Sequence, residues 1–388
     1  MGVSDCVIIL GLLGQFPLAG IAWQLVHHVV GLQRLGFKVY YIEDTGTAPY
    51  DPRLKSLVHD CSYSVRYIET VLRRAGLEHA WAYRDGLHNQ WYGLDRERVR
   101  DLFARAVGAI NLCGASDPAA LAFRPQGKLI YLETDPVLYQ VRLAQGDNAA
   151  RQFLSAHDAH VTYGENLGAS DCPIPLPDFA WKKTRPPVVV DLWPSRPETP
   201  GAKFTTIATW HNRGKDLRFQ GQTYYWSKHM NFLALADLPH RAAPALELSV
   251  EIDNERECEV FQRGGWLLTN PLAVSQDMQV YQKYIADSRG EFTVAKDAVV
   301  RTKSGWFSDR SVCYLAAGRP VVTQETGFSK FIPTGTGLFG FSSPEEAQDA
   351  LATIDADYAR HARAAREIAC EYFAAEKILG KMIAEVGI

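Results

Sequence analysis

The feature that most constrains the fold of this chain is the alternation between Val7 and Asp44. Val7 to Leu13 is a short apolar run ending among glycines, and from Gly20 to Leu35 the residues Ile21, Leu25, His28, Val29 and Leu32 recur at helical spacing. Gly36 stops that helix. Phe37 to Ile42 is then a β-branched and aromatic run that closes on the acidic pair Glu43 and Asp44. Strand, loop, helix and strand make a βαβ unit, which calls for a parallel sheet covered by helices. Ala109 to Cys113, Leu129 to Leu132 and His160 to Tyr163 read as further buried strands of the same half.

The pattern breaks and then resumes. Between Cys172 and Pro200 prolines stand at 173, 175, 177, 186, 187, 194, 197 and 200, with Lys182, Lys183 and Arg185 among them. A second strand series follows at Phe204 to Thr209, Leu246 to Ile252, Gly265 to Leu268, Phe292 to Ala295 and Pro320 to Thr323. From Pro344 to Ile388 the chain is rich in alanine and glutamate at helical spacing. A length of 388 residues exceeds what one hydrophobic core covers, so two domains are expected. The expected division is an α/β, Rossmann-like domain over 1–180, a Pro-rich linker over 181–203, a second Rossmann-like domain over 204–360, and closing helices over 361–388 that pack back on the first domain.

A formal charge of -3 and a pI near 6.4 supply no general attraction for nucleic acid or an anionic membrane, so neither is expected as a partner. Any phosphate has to be gripped locally. The seven cysteines are scattered, with no CxxC pair and no cysteine–histidine cluster at metal spacing, which fits a reduced compartment and predicts no metal site. Val7 to Leu13 lacks a basic n-region and is too short to span a bilayer. A cytoplasmic protein without a transmembrane segment is expected.

The stretch GWFSDRSVCYLAAGRPVVTQETGF, from Gly305 to Phe328, orders a loop, a helix, a glycine turn, a strand and a second glycine loop. Ser308 or Asp309 can cap the helix, whose first turn carries Arg310, so free N–H groups, the helix dipole and a guanidinium converge on one spot. A capped surface helix with an exposed arginine is the plainer alternative. Glu325 to Gly327 opens at the following strand's carboxyl end, where open α/β sheets bind ligands.

AAGRPVV from Ala316, followed by Glu325, Thr326 and Gly327, resembles the C-terminal donor-binding segment of the group 1 (GT4-like) glycosyltransferases. The resemblance implies the GT-B fold, two Rossmann-like domains facing across a cleft, with the acceptor on the first domain and a nucleotide sugar on the second. By it, donor binding falls to Ser308, Asp309, Arg310, Glu325, Thr326 and Gly327. Many retaining members carry two glutamates eight positions apart, where this chain has Gly305 and Cys313. The stereochemical outcome is therefore not legible in the motif.

After the second half's first strand, Thr209, Trp210, His211, Asn212, Arg213 and Lys215 form a polar loop, with Lys228 downstream. Asn212, Arg213 and Lys228 are the expected phosphate clamp, since a departing nucleoside diphosphate gains charge that Arg or Lys can stabilise without metal. A solvated loop is the alternative. In the first half, Gly11, Gly14 and Gly20 loosely resemble a glycine-rich turn, and Gly14, Gly20 and Asp44 are read as acceptor or sugar contacts. Asp135 and Glu165, each following a strand, are the catalytic candidates, although Asp135 can equally cap the helix after Pro136.

The activity these readings imply is a metal-independent hexosyltransferase of the bacterial cytoplasm, with no cofactor. Its substrates would be a nucleotide-sugar donor and a small-molecule, glycan or lipid-linked acceptor. The competing readings are a nucleotide-sugar epimerase of the same fold and a non-catalytic glycan-binding protein. The sequence says nothing of oligomeric state.

Overall fold

The computed structural model describes residues 5–176, 178–195, 201–212, 214–242 and 245–388. Two parallel sheets organise them. In the first, the strands lie in the order Gln90–Gly93, Trp81–Asp85, Lys38–Glu43, Cys6–Leu10, Gly108–Leu112, Lys128–Glu133, Ala159–Thr162 and Trp181–Lys183, with only Gln90–Gly93 antiparallel. In the second the order is Leu267–Thr269, Ala245–Ser249, Lys203–Ile207, Gly290–Thr293, Val321–Gln324 and Leu338–Phe341, all parallel. Both sheets start in the middle, build outward to one side, then cross over and build to the other. That is the Rossmann order, with a topological switch point beside each first strand.

The strands are apolar on both faces because helices cover both. Val7 and Ile9 face one cluster and Ile8 and Leu10 another, as the period of two requires. The first cluster does not stop at the domain boundary. Helices Ala19–Arg34, Met278–Asp287, Asp309–Ala316 and Ala375–Val386 contribute Trp23, Met278, Val312, Leu315 and Leu379 to one continuous core. The last helix lies on the first: Gly31 has no room for a Cβ against Leu379 and Ala375, and Lys128 Nζ donates to the carbonyl of Val386 at 2.6 Å.

Strand positions read from the sequence hold to within a few residues, and the structure adds strands that were not read. Trp181–Lys183 lies inside the stretch read as linker yet pairs with Ala159–Thr162 at the edge of the first sheet. The strands Trp81–Asp85, Gln90–Gly93 and Leu338–Phe341 were not anticipated, nor were the short hairpins Tyr50–Asp51 with Ser56–Leu57 and Leu217–Phe219 with Gln222–Tyr224. Among the described residues no helix is long and apolar enough to cross a membrane.

Candidate functional site

At the carboxyl edge of the second sheet, Ser308 Oγ caps the helix Asp309–Ala316 by accepting from the amide of Arg310. Gly318, at φ +66°, ends the turn after it, and Val321–Gln324 runs on as the next strand. Arg310 reaches under the sheet edge instead of outward. Its Nε donates to Glu291 Oε1 at 2.5 Å, Nη1 to the carbonyl of Ile207 at 2.6 Å and Nη2 to Thr293 Oγ1 at 2.9 Å. Glu291 and Thr293 share one face of their strand, two residues apart, and Ile207 ends the neighbouring one. The guanidinium thus pins the two strands that flank the switch point, and breaking such a buried pair typically costs about 3–5 kcal/mol.

In front of this pin stands Lys228, which is only 8% exposed. Among the described residues its ammonium has no hydrogen-bond or ion-pair partner. Burial, then the charges of Arg310 and Lys296, hold its pKa well below the usual lysine range. Lys296 follows the strand Gly290–Thr293, lies over the Trp226 ring at 4.8 Å and bonds Asp135 Oδ2 across the cleft at 2.7 Å. Three cations therefore face two carboxylates, Glu291 and Asp135, and Lys228 is the one without a partner among the described residues.

The first half meets this edge through a directed relay. Thr134 Oγ1 donates to Cys113 Sγ at 3.0 Å, Cys113 Sγ to Gln24 Oε1 at 3.3 Å, and Gln24 Nε2 to Asp309 Oδ2 at 3.0 Å. Burial and the charge of Asp135 push the Asp309 carboxyl up to about 7. Trp306 Nε1 donates to the carbonyl of Thr134 at 2.9 Å. Val137, two residues past Asp135, is fully buried at φ +92°, a strained conformation for a β-branched residue of the kind that collects at ligand sites.

The structure brings together Asp135, Lys228, Asp309 and Arg310 from the sequence candidates and sends others elsewhere. Glu165 Oε1 accepts from Arg185 at 2.6 Å, its charge felt by Lys381 on the last helix, so it serves the domain joint instead of the cation cluster. Asp44 pairs with Arg84. Gly14 gives its amide to Glu43 and has no space for a Cβ against Ile68, and Gly20 lies in the first turn of the first helix with only Tyr281 near it. Glu325 Oε1 accepts the amide of Gly327 at 2.5 Å, and Thr326 Oγ1 donates to the carbonyl of Trp306 at 2.5 Å, so that loop braces itself and its neighbour. Asn212 gives its amide to Ser227 Oγ at 2.8 Å. Arg213 lies outside the described residues. Sequence reasoning missed Lys296, whose signal was a basic residue three positions past a buried strand. Among the described residues no group of three or more His, Cys, Asp or Glu side chains is arranged to hold a metal ion.

Two Rossmann-ordered sheets, a shared apolar joint, a last helix returned to the first half and facing carboxyl edges decide the architecture. The chain has the GT-B fold. Solved structures agree over its whole length. AviGT4, a glycosyltransferase involved in avilamycin A biosynthesis, is 14% identical, with 98% of this chain and 97% of that one covered at a TM-score of 0.54. Anabaena HepE in complex with UDP and glucose is 15% identical, with 98% of each covered at 0.54. An α-glucosyltransferase in complex with UDP and a 13-mer DNA is 9% identical, with 100% of each covered at 0.58. The sequence matches no family model and no curated protein at a significant level.

The two positions at which the resemblance to retaining glycosyltransferases would put glutamates, Gly305 and Cys313, lie against the first half. Gly305, at φ +81°, would bring a Cβ to 2.4 Å from the amide nitrogen of Asn166 in the other half. Cys313 is buried, with Sγ 3.8 Å from His27 Nε2 on the first helix. Both positions are packed against the first domain, which leaves no room for a glutamate at either.

Proposed function

We propose that the chain is a hexosyltransferase that takes a sugar from a nucleotide-sugar donor held by the second half and passes it to an acceptor held by the first. The observation that carries this reading is Lys228, a buried lysine that lies near Lys296 and Arg310 and whose ammonium has no partner among the described residues. An unpaired buried charge is costly, and a diphosphate in front of it supplies the missing counter-charge. The UDP and UDP-glucose held by GT-B neighbours of similar architecture support the choice of ligand.

The chemistry then follows from charge. The acceptor oxygen bonds to the anomeric carbon as the bond from that carbon to the donor phosphate breaks, and the diphosphate leaves with the electron pair. Lys228 and Lys296, backed by Arg310, stabilise that growing charge without needing a metal. A diphosphate that recruits Lys296 also frees Asp135, the half-exposed carboxylate at the first sheet's edge, to orient the acceptor hydroxyl or take its proton. Ser308, Asp309 and the Glu325 to Gly327 loop keep the cradle in shape.

Thermal stabilisation by UDP, GDP, TDP, CDP and ADP tests the reading, followed by release of the stabilising nucleotide from its sugars when glycan acceptors are added. One diphosphate should raise the melting temperature, and turnover should survive EDTA. Stabilisation by none of them would overturn the proposal. A new sugar epimer formed from donor alone would move the chain to the epimerases, and binding without turnover to the glycan-binding proteins.

A further inference from the structure

A second built feature lies on the first half, at the carboxyl edge of its sheet but away from the cation cluster. An open groove of about 500 Å³, within the range of small-molecule sites, is lined by Arg84, Asn89, Trp91, Arg96, Ala120 and Ala122. Arg84 and Trp91 stand directly opposite each other on the antiparallel pair Trp81–Asp85 and Gln90–Gly93, so guanidinium and indole sit side by side on one face.

Arg84 is held in place. Its Nη1 donates to both oxygens of Asp44, at 3.2 and 3.3 Å, and its Nε to Asn89 Oδ1 at 3.2 Å. Its Nη2 has no protein acceptor among the described residues. Asp44, with its side chain 3% exposed, also accepts the amide of Ala122 at 3.1 Å, and so ties the opposite wall to the same carboxylate. Arg96 is exposed, rests over the Phe123 ring at 5.4 Å and has no carboxylate partner among the described residues.

We propose that this groove binds a sugar that carries an oxyanion, and that it is the acceptor subsite of the transferase reading, on which that second clause rests. A clamped guanidinium with its outer fork unfilled, a second guanidinium without a counter-ion and a half-buried indole offer an oxyanion two charge-assisted donors and a sugar ring a flat apolar face. The shared chemistry is the oxyanion, whether carboxylate or phosphate. Nucleic acid is the poorer fit. Of the further arginines in this region Arg100 is paired with Glu97 and Arg124 with Asp158, and the chain carries a formal charge of -3. Four strand spacings separate Trp81–Asp85, which carries Arg84, from Lys128–Glu133, or about 19 Å, so the oxyanion is recognised away from Asp135 on an acceptor larger than one sugar.

Titration of the full chain with a glucuronate-bearing disaccharide, its neutral glucose counterpart, glucose 6-phosphate and a 13-mer oligonucleotide decides between these. The glucuronate sugar or the sugar phosphate should bind at least tenfold tighter than the neutral one, and the better of the two names the source of the oxyanion. The variant Arg84→Ala with Arg96→Ala should lose at least tenfold of that affinity, and Trp91→Ala should weaken acidic and neutral sugars alike. Equal affinity for acidic and neutral sugars, indifference to the arginine substitutions, or binding of the oligonucleotide alone would overturn the proposal. Nucleotide titration of the wild-type chain reports separately on the donor site, so a failure of the groove and a failure of the transferase reading give different results.

Discussion

Glu43 and Lys228 stand at the carboxyl edges of two sheets with one strand order, and they finish those edges in opposite ways. Glu43 is fully buried and fully engaged: it accepts the amides of Gly14 and Gln15, each at 2.7 Å, and the hydroxyl of Tyr41 at 2.5 Å. The glycine loop after the first strand, whose N–H groups would suit a phosphate, is occupied by the protein's own carboxylate, and Tyr41 fills the space beside Gly11. At the second edge the charge is positive, and among the described residues Lys228 has no partner. The same fold carries a switch point filled by its own carboxylate in one half and a cationic one in the other. Strand order places a potential site, and the side chains that finish the edge decide whether a ligand is wanted there.

The largest effect should come from the carboxylate of the first sheet that is not plugged in. Asp135→Asn should lower transfer about 10²- to 10⁴-fold with donor affinity nearly intact, measured by steady-state kinetics with donor binding read separately. An Asn that transfers like wild type would leave Asp135 only its bond to Lys296, since the helix that follows, Leu138–Ala144, has Val137 at its N-cap and is capped by Gln140. Glu43→Ala should instead destabilise the chain by about 3 kcal/mol, read from urea unfolding, by orphaning two amides and a hydroxyl. Its donor affinity should stay at the wild-type level, and a large loss of nucleotide binding would break the comparison between the two edges.

Lys228→Ala should weaken donor binding about tenfold to a hundredfold, or about 1.5–3 kcal/mol, without loss of stability. The smallest effect concerns Asp309, whose pKa is raised on folding from 3.8 to about 7. Its proton is held more tightly folded than unfolded, so stability is lost as pH rises from about 4 to about 7. Asp309→Asn removes that loss, and its melting temperature should exceed wild type by a few degrees at pH 8 and match it near pH 4. A deficit at pH 8 would show that the charged form, gripped by Gln24, is the stabilising one.

Much of the architecture was legible because parallel strands buried on both faces read as unbroken apolar runs, and because Ser308 and Gly318 bound their helix by local chemistry. Trp181–Lys183 was not, since a three-residue edge strand with Lys182 and Lys183 exposed leaves no periodic mark among prolines. The site was half legible. Lys228 and Asp135 were found by position, but Lys296 needed the strand order, which brings the loops after Lys203–Ile207 and Gly290–Thr293 side by side. Arg310 was expected to face a phosphate and instead pins the sheet. Its sequence signal was Glu291, an acid within the buried run GEFT that requires a basic partner. Glu165 turned away because a residue after a strand can face either side of its loop, and Arg185 lies on the other side.

The central claim is that a nucleoside diphosphate binds at the cationic edge of the second sheet and supplies the counter-charge of Lys228. Calorimetric titration with UDP, or with whichever diphosphate stabilises the chain, in two buffers of different ionisation enthalpy at pH 8 tests it directly. Burial and the neighbouring cations hold the free ammonium's pKa well below its ordinary value, and a bound diphosphate raises it. Binding should therefore take up protons over the pH interval between the two, which repeating the titration at higher and lower pH brackets. Lys228→Ala should abolish that uptake and weaken affinity at least tenfold. Wild-type binding without proton uptake, together with unchanged affinity in Lys228→Ala, would contradict the account.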